Sequence, residues 1–316
     1  MSAASEDLLA GRERALRTLE LSVKKRLEGF LQGDITGLRS GPGSEPNEAR
    51  PYQPGQDDVR RMDWNVTARS LEAHVRAPLA ERELETWALV DASPSMDFGT
   101  ALAEKRDLAV AIVGAIGLLA DRPGNRLGAR VAFGDQLTRI PAVGGAAALR
   151  RTFRTLLSLP RLEPGAHPTT DLLNAIRRLD REHPRPGLRV VVSDFAEDST
   201  AWAKQLRRLA VRHEVIAVEV IDPRELELPE VGLLTLVDPE TGRRHEVQTS
   251  RRRIRERYAA AAAEHRERTA AAIRSAGAAH LQLRTDRDWV RDVASFATAR
   301  RRAAARRPPL NRDGVR

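Results

Sequence analysis

The chain has 316 residues, 41% of them hydrophobic and only 4% aromatic, so one sizeable core built from Leu, Val, Ile and Ala is within reach. It contains no cysteine, which excludes disulfides, thiolate metal sites and thiol catalysis and fits a reducing compartment. The formal net charge is +9, almost wholly from arginine and partly concentrated in the last stretch, 300–316. A nucleic-acid partner stays open on charge alone, but no nucleic-acid-reading motif accompanies it.

The beginning of the chain lacks the basic-then-apolar order of a signal peptide. The longest apolar run, Leu108 to Ala120, is too short for a bilayer and is bracketed by charges. These features predict a cytoplasmic protein. In chain order, apolar residues at spacings of three and four predict an amphipathic helix from Ser5 to Leu31. Gly41 to Pro54 reads as a loop by composition. Between Tyr52 and Trp64, the residues Asp57, Asp58, Arg60 and Asp63 can form an ion-pair and capping network, with the two aromatics as anchors. Alternation from Leu71 to Leu79 predicts a strand.

The next stretch organises the rest. Trp87 to Val90 is a short apolar run, as expected of a strand buried on both faces. It ends at Asp91, and two hydroxyls follow at alternate positions, Ser93 and Ser95. Leu108 to Ala120 then predicts a buried helix. Strand, polar loop, helix is the layout of a site at the carboxyl end of a parallel strand. One carboxylate and two hydroxyls are hard oxygen donors, suited to Mg²⁺ or Mn²⁺. Asp and Ser are also common in turns and helix caps, so the triplet alone leaves a purely structural role open.

Further oxygen donors follow. Residues 128–133 and 136–141 predict a hairpin through Gly134-Asp135, and 146–158 a helix. The loop 160–168 delivers Thr170 to a helix over 171–182, with Thr169 as the adjacent alternative and His167 beside it as a plain loop histidine. The strand 188–193 ends at Asp194. Glu197, Asp198 and Ser199 are expected to cap a helix through Val211, and 213–221 reads as a strand. A hairpin is expected near 225–248, a candidate partner surface. A helix over 251–276, a strand over 280–284, a helix over 288–304 and a disordered basic tail from Arg307 complete the chain.

Asp91-x-Ser93-x-Ser95 with a distant Thr170 and Asp194 resembles a von Willebrand factor type A domain with a metal-ion-dependent adhesion site. The block Tyr52-x-Pro54-Gly55-x-Asp57-Asp58-x-Arg60-x-x-Asp63-Trp64, then Thr67-Ala68-Arg69, a strand and the Asp-x-Ser-x-Ser triplet, is similar to the hallmark order of the bacterial family called domain of unknown function 58. The resemblance covers about 37–301 and sits with the short members that lack spanning helices. It implies an α/β fold, a mainly parallel doubly wound sheet with helices on both faces, spanning 85–304 and carrying the hairpin. Ahead of it stand a helical segment, 1–40, and a family-specific block, 41–84. A tail, 305–316, follows.

The resemblance further implies that Asp91, Ser93, Ser95, Thr170 and Asp194 hold Mg²⁺ or Mn²⁺ and that a partner's carboxylate completes the shell. It implies a MoxR-type AAA+ ATPase as partner, with the chain acting as an adaptor and not as an enzyme. The alternative is a metal-dependent phosphoesterase with Asp91 as nucleophile. Against it, the haloacid-dehalogenase-like pattern places a second Asp where Ser93 stands, and no phosphate-binding Gly-rich Lys loop is present.

Overall fold

The structure is a computed structural model and describes residues 49–53, 58–59, 62–70, 72–76, 85–119, 125–158, 170–197 and 200–305. The expected helix at 5–31, the tail from Arg307, Asp57, Arg60, His167, Thr169, Asp198 and Ser199 lie outside the described residues.

A six-stranded sheet carries the fold. Its strands are β3 (Glu85–Asp91), β4 (Arg126–Phe133), β5 (Gln136–Val143), β6 (Leu188–Ser193), β7 (Glu214–Ile221) and β10 (Ala279–Arg284). They lie in the order β10-β7-β6-β3-β4-β5. All neighbours run parallel except β4 and β5, the hairpin through Gly134-Asp135. Gly134 sits at φ 58°, left-handed backbone that a side chain disfavours, so glycine suits this turn.

Side chains alternate across each strand, and both sets are apolar. Ala88, Val90, Val190, Val192, Val218 and Val220 face one core. Helices α2 (Lys105–Leu119), α3 (Ala146–Ser158) and α7 (Trp289–Ala305) close it. Trp87, Leu89, Val191, Val215 and Ala217 face the other, under α4 (Leu172–Glu182), α5 (Trp202–Arg212) and α6 (Arg252–Ser275). Each such Val or Leu contributes about 1.5–3 kcal/mol on leaving water. A central strand therefore needs cover on both faces, and the near-continuous apolar runs of β3 and β6 record that.

The chain passes from β3 outward to β4 and β5, then returns to place β6 on the other side of β3. The β3/β6 boundary is thus the topological switch point, the place where open α/β sheets bind ligands beyond the carboxyl ends of their strands.

Outside the sheet, three expectations change. Ala49–Pro51 (β1), read as loop, pairs antiparallel with His74–Arg76 (β2), and residues 72–73 of the strand expected over 71–79 are not part of it. Trp64 opens a helix, Trp64–Ser70 (α1), and is 68% exposed, so it is no anchor. Asp63 is buried and accepts from the Asn65 and Val66 N–H groups (3.1 and 3.3 Å), capping that helix as its position suggests. The third concerns α5, whose cap is Ala201 with no side-chain hydrogen bond, not Glu197 to Ser199. The expected hairpin is present as β8 (Leu233–Val237) and β9 (Arg244–Gln248), paired only with each other. Among the described residues no helix is long and apolar enough to cross a membrane.

Candidate metal centre

β3 delivers Asp91 to the switch point as its last residue, paired in register with Ala132 of β4. The backbone then turns into a short 3₁₀ helix, Pro94–Asp97. Alternation across that turn brings both hydroxyls to one side, with the Ser93 and Ser95 Oγ atoms 3.0 Å apart. The Asp91 carboxylate is held at both ends: Oδ1 accepts from the Ser93 N–H (2.9 Å) and Oδ2 from the Ser193 hydroxyl (2.7 Å). Ser193 is the last residue of β6, so this bond ties the two strands together above the sheet.

Asp194 follows directly. Its Oδ1 accepts from the Ala196 N–H at 3.1 Å, and Phe195 beside it holds φ 49°, a left-handed conformation rare for a large side chain. Thr170 arrives from the other flank. It is buried, and its Oγ1 accepts from the Gly134 N–H at 3.2 Å, two residues beyond the Ala132 that pairs with Asp91. Asp171 then caps α4 by accepting from the Asn174 N–H (2.8 Å), the loop-to-helix step that sets Thr170 in place. All five expected residues are buried at this end of the sheet.

The electrostatics ask for a cation. Burial, and next the Asp194 charge, push the Asp91 carboxyl up to about 6, against hydrogen bonds from Ser193 and Ser93. Burial raises Glu197 as well, as do Asp171, Asp91 and Asp194. Asp194 alone is held below the usual carboxylate range: burial would raise it, but Lys105, a hydrogen bond from Ser95 and Arg266 outweigh burial. The donors are carboxylates and neutral hydroxyls. That donor set fits an ion that accepts hard oxygen and neutral ligands, as Mg²⁺ and Mn²⁺ do.

Three contributors were missed by sequence reasoning. Lys105, the first residue of α2, is fully buried and donates to Asp194 Oδ2 at 2.7 Å and to Glu225. Arg266 of α6 donates to the Asp194 carbonyl (2.8 Å) and to Glu219 Oε1 (3.0 Å). In the sequence Lys105 is only one of the charges that bracket an apolar run. Its one local signal is a lysine at the start of a mostly apolar helix, ten residues after the last hydroxyl of the triplet. The third missed group is Glu240, at the tip of the β8–β9 hairpin, whose Oε1 accepts from the Ser95 N–H at 3.2 Å. The hairpin, expected as an outlying partner surface, instead reaches into the site.

Comparison with known proteins adds the following. A family described as "Protein of unknown function DUF58" matches residues 48–268. An uncharacterized protein of Mycobacterium tuberculosis is 51% identical over 290 residues, 92% of this chain and 90% of that one. Among solved structures, BatB from Bacteroides thetaiotaomicron is 12% identical, covering 69% of this chain and 99% of its own, with a TM-score of 0.43. The VWA domain of SpRpn10 is 11% identical, covering 74% and 100%, with a TM-score of 0.39.

Proposed function

The chain belongs to the DUF58 family, with a von Willebrand factor type A-like α/β sheet, and from that premise we propose that it is a metal-dependent protein-interaction module. Asp91, Ser93, Ser95, Thr170 and Asp194 would hold Mg²⁺ or Mn²⁺. The observation that carries the reading is the gathering of these five buried oxygen donors at the switch point, with two carboxylates in mutual repulsion and hydroxyls between them. When bound, the ion supplies an electrophilic position that a carboxylate from another protein can complete.

The protein's own part is to preorganise and to keep the ion electrophilic. Ser93 N–H and Ser193 Oγ fix the orientation of Asp91. Lys105 and Arg266 offset part of the charge of Asp194, so the site does not saturate the ion with anionic ligands. Exposed Phe98 and Leu102, three and seven residues past Ser95, give the rim apolar surface for a protein partner. We propose a binding role and not catalysis, because Ser93 stands where a haloacid-dehalogenase-like nucleophile site would carry its second Asp. The proposed partner is a MoxR-type AAA+ ATPase and the proposed setting the cytoplasm.

Calorimetric titration of Mn²⁺ and Mg²⁺ into wild type and Asp91→Ala, followed by pull-down of the ATPase with Mg²⁺ or with chelator, tests this. Saturating metal, at about a hundredfold its dissociation constant, is expected to stabilise the wild type by about 2.7 kcal/mol and Asp91→Ala not at all. Capture of the ATPase that survives both chelator and the variant would contradict a metal-dependent contact.

A further inference from the structure

The β8–β9 hairpin is a built arm. Asp238 Oδ1 accepts from the N–H groups of Glu240 (3.0 Å) and Thr241 (3.4 Å), and the Thr241 hydroxyl donates to Asp238 Oδ2. Gly242 at φ 69° closes the turn with its N–H on the Asp238 carbonyl (2.8 Å). Pro239 restricts the backbone just before Glu240. These bonds hold the tip in one shape and point Glu240 away from its own strands.

Glu240 spans 145 positions of sequence to reach the Ser95 N–H. Its second oxygen, Oε2, is buried with no hydrogen-bond partner among the described residues. A buried carboxylate oxygen without a donor costs about 1–3 kcal/mol or more, so a hairpin free to swing into water would not keep it there unaided. A cation beside Asp91 would supply the partner that this oxygen lacks.

We propose that Glu240 is an internal ligand of this site, seated in the position that a partner's carboxylate would take, so that the hairpin must leave before a partner binds. The inference rests on the metal-dependent reading above. The arm is suited to leaving. It is a two-stranded ribbon with Leu233 and Val237 exposed, and isolated ribbons are marginally stable. Its base is pinned by the Thr249 N–H on the Gly232 carbonyl (2.7 Å) and by Arg255 on the Thr249 carbonyl (2.6 Å). Motion therefore falls on the arm, not on the sheet.

The test is Mn²⁺ titration into wild type, Glu240→Ala, Glu240→Gln and Asp91→Ala, with amide hydrogen exchange over 238–242 followed with and without Mn²⁺, and acetate as a free carboxylate probe. Both Glu240 variants are expected to bind Mn²⁺ at least about tenfold more weakly. Mn²⁺ should slow exchange at the tip of the wild type only, and acetate should tighten Mn²⁺ binding to Glu240→Ala only. Unchanged affinity in both Glu240 variants, with tip exchange indifferent to Mn²⁺ while Asp91→Ala loses binding, would overturn the internal ligand and leave the metal site standing. No Mn²⁺ binding by the wild type would overturn both.

Discussion

At the scale of residues, the buried ammonium of Lys105 matters most among the groups that sequence reasoning passed over. It sits between Asp194 and Glu225 and is itself held above its ordinary range: burial alone would lower it, but the two carboxylates more than compensate. Removing one member of a buried pair strands the other. Lys105→Met is therefore expected to lose about 3–5 kcal/mol of stability in chelator, measured by urea unfolding. A loss below about 1 kcal/mol would mean that Asp194 finds its counter-charge elsewhere. The Asp-x-Ser-x-Ser triplet was legible because its chemistry is local to five consecutive residues, 91–95. Lys105 and Glu240 were not, since their partners lie 89 and 145 positions away and nothing in their own neighbourhoods specifies them.

At the scale of elements, two joints hold the site's walls. Asp222, fully buried at the end of β7, accepts from the Thr100 N–H and hydroxyl (2.8 and 2.6 Å), the Thr285 hydroxyl (2.7 Å) and the Arg224 N–H (2.9 Å). It thereby ties the loop after the triplet to the end of β10. Burial would raise this carboxyl, but those donors hold it below the usual range. Its stabilisation is complete above the unfolded value of about 3.9 and is lost as pH falls through the lower folded value. Asp222→Ala is expected to cost about 3 kcal/mol at neutral pH by thermal or urea unfolding.

The second joint is the approach of α2 to α3. A β-carbon on Gly114 would stand 2.1 Å from the Phe153 ring, itself buried. Helix propensity favours alanine by about 1 kcal/mol. Overpacking a ring that cannot withdraw costs about 1–3 kcal/mol. Gly114→Ala is thus expected to lower the melting temperature, and pairing it with Phe153→Leu should recover part of the loss. In sequence Gly114 looks like a weak point in a helix. Only the packing explains it.

At the scale of the molecule, the two ends of the sheet have opposite characters. The carboxyl end gathers acids. The amino end gathers arginines around two buried histidines. His183 stacks on Trp87 with centroids 3.4 Å apart and accepts from Arg130 Nε at 3.3 Å, which requires a neutral ring. Burial first, then Arg130 and Arg189, bring it down to about 4. Burial and Arg189 bring His213 down to about 4 as well. The unfolded chain takes up these protons from about pH 6.5, the folded chain only near 4. Stability contributed by the neutral rings is therefore whole above 6.5 and declines as pH falls toward 4. Urea midpoints at pH 7.5 and 5.0 should show this decline, and the double variant His183→Gln, His213→Gln should flatten it. An equal slope in that variant would assign the decline to other groups.

The order of strands and helices from 85 to 305 was readable from the chain alone. Strands buried on both faces must be apolar runs, and helices between them must carry apolar stripes, so periodicity reports the layers directly. The placement of Asp91, Ser93, Ser95, Thr170 and Asp194 at one end of the sheet was readable for a related reason: each stands at or just beyond the end of an element whose boundary the sequence marks. Periodicity could not show that Trp64 is exposed, that Ala49–Pro51 pairs with His74–Arg76, or that an outlying hairpin turns back onto the switch point. Those outcomes depend on which surfaces meet. A buried ammonium such as Lys105, or a half-buried carboxylate such as Glu240, is explained only by what lies opposite it, and the tertiary structure alone decides that.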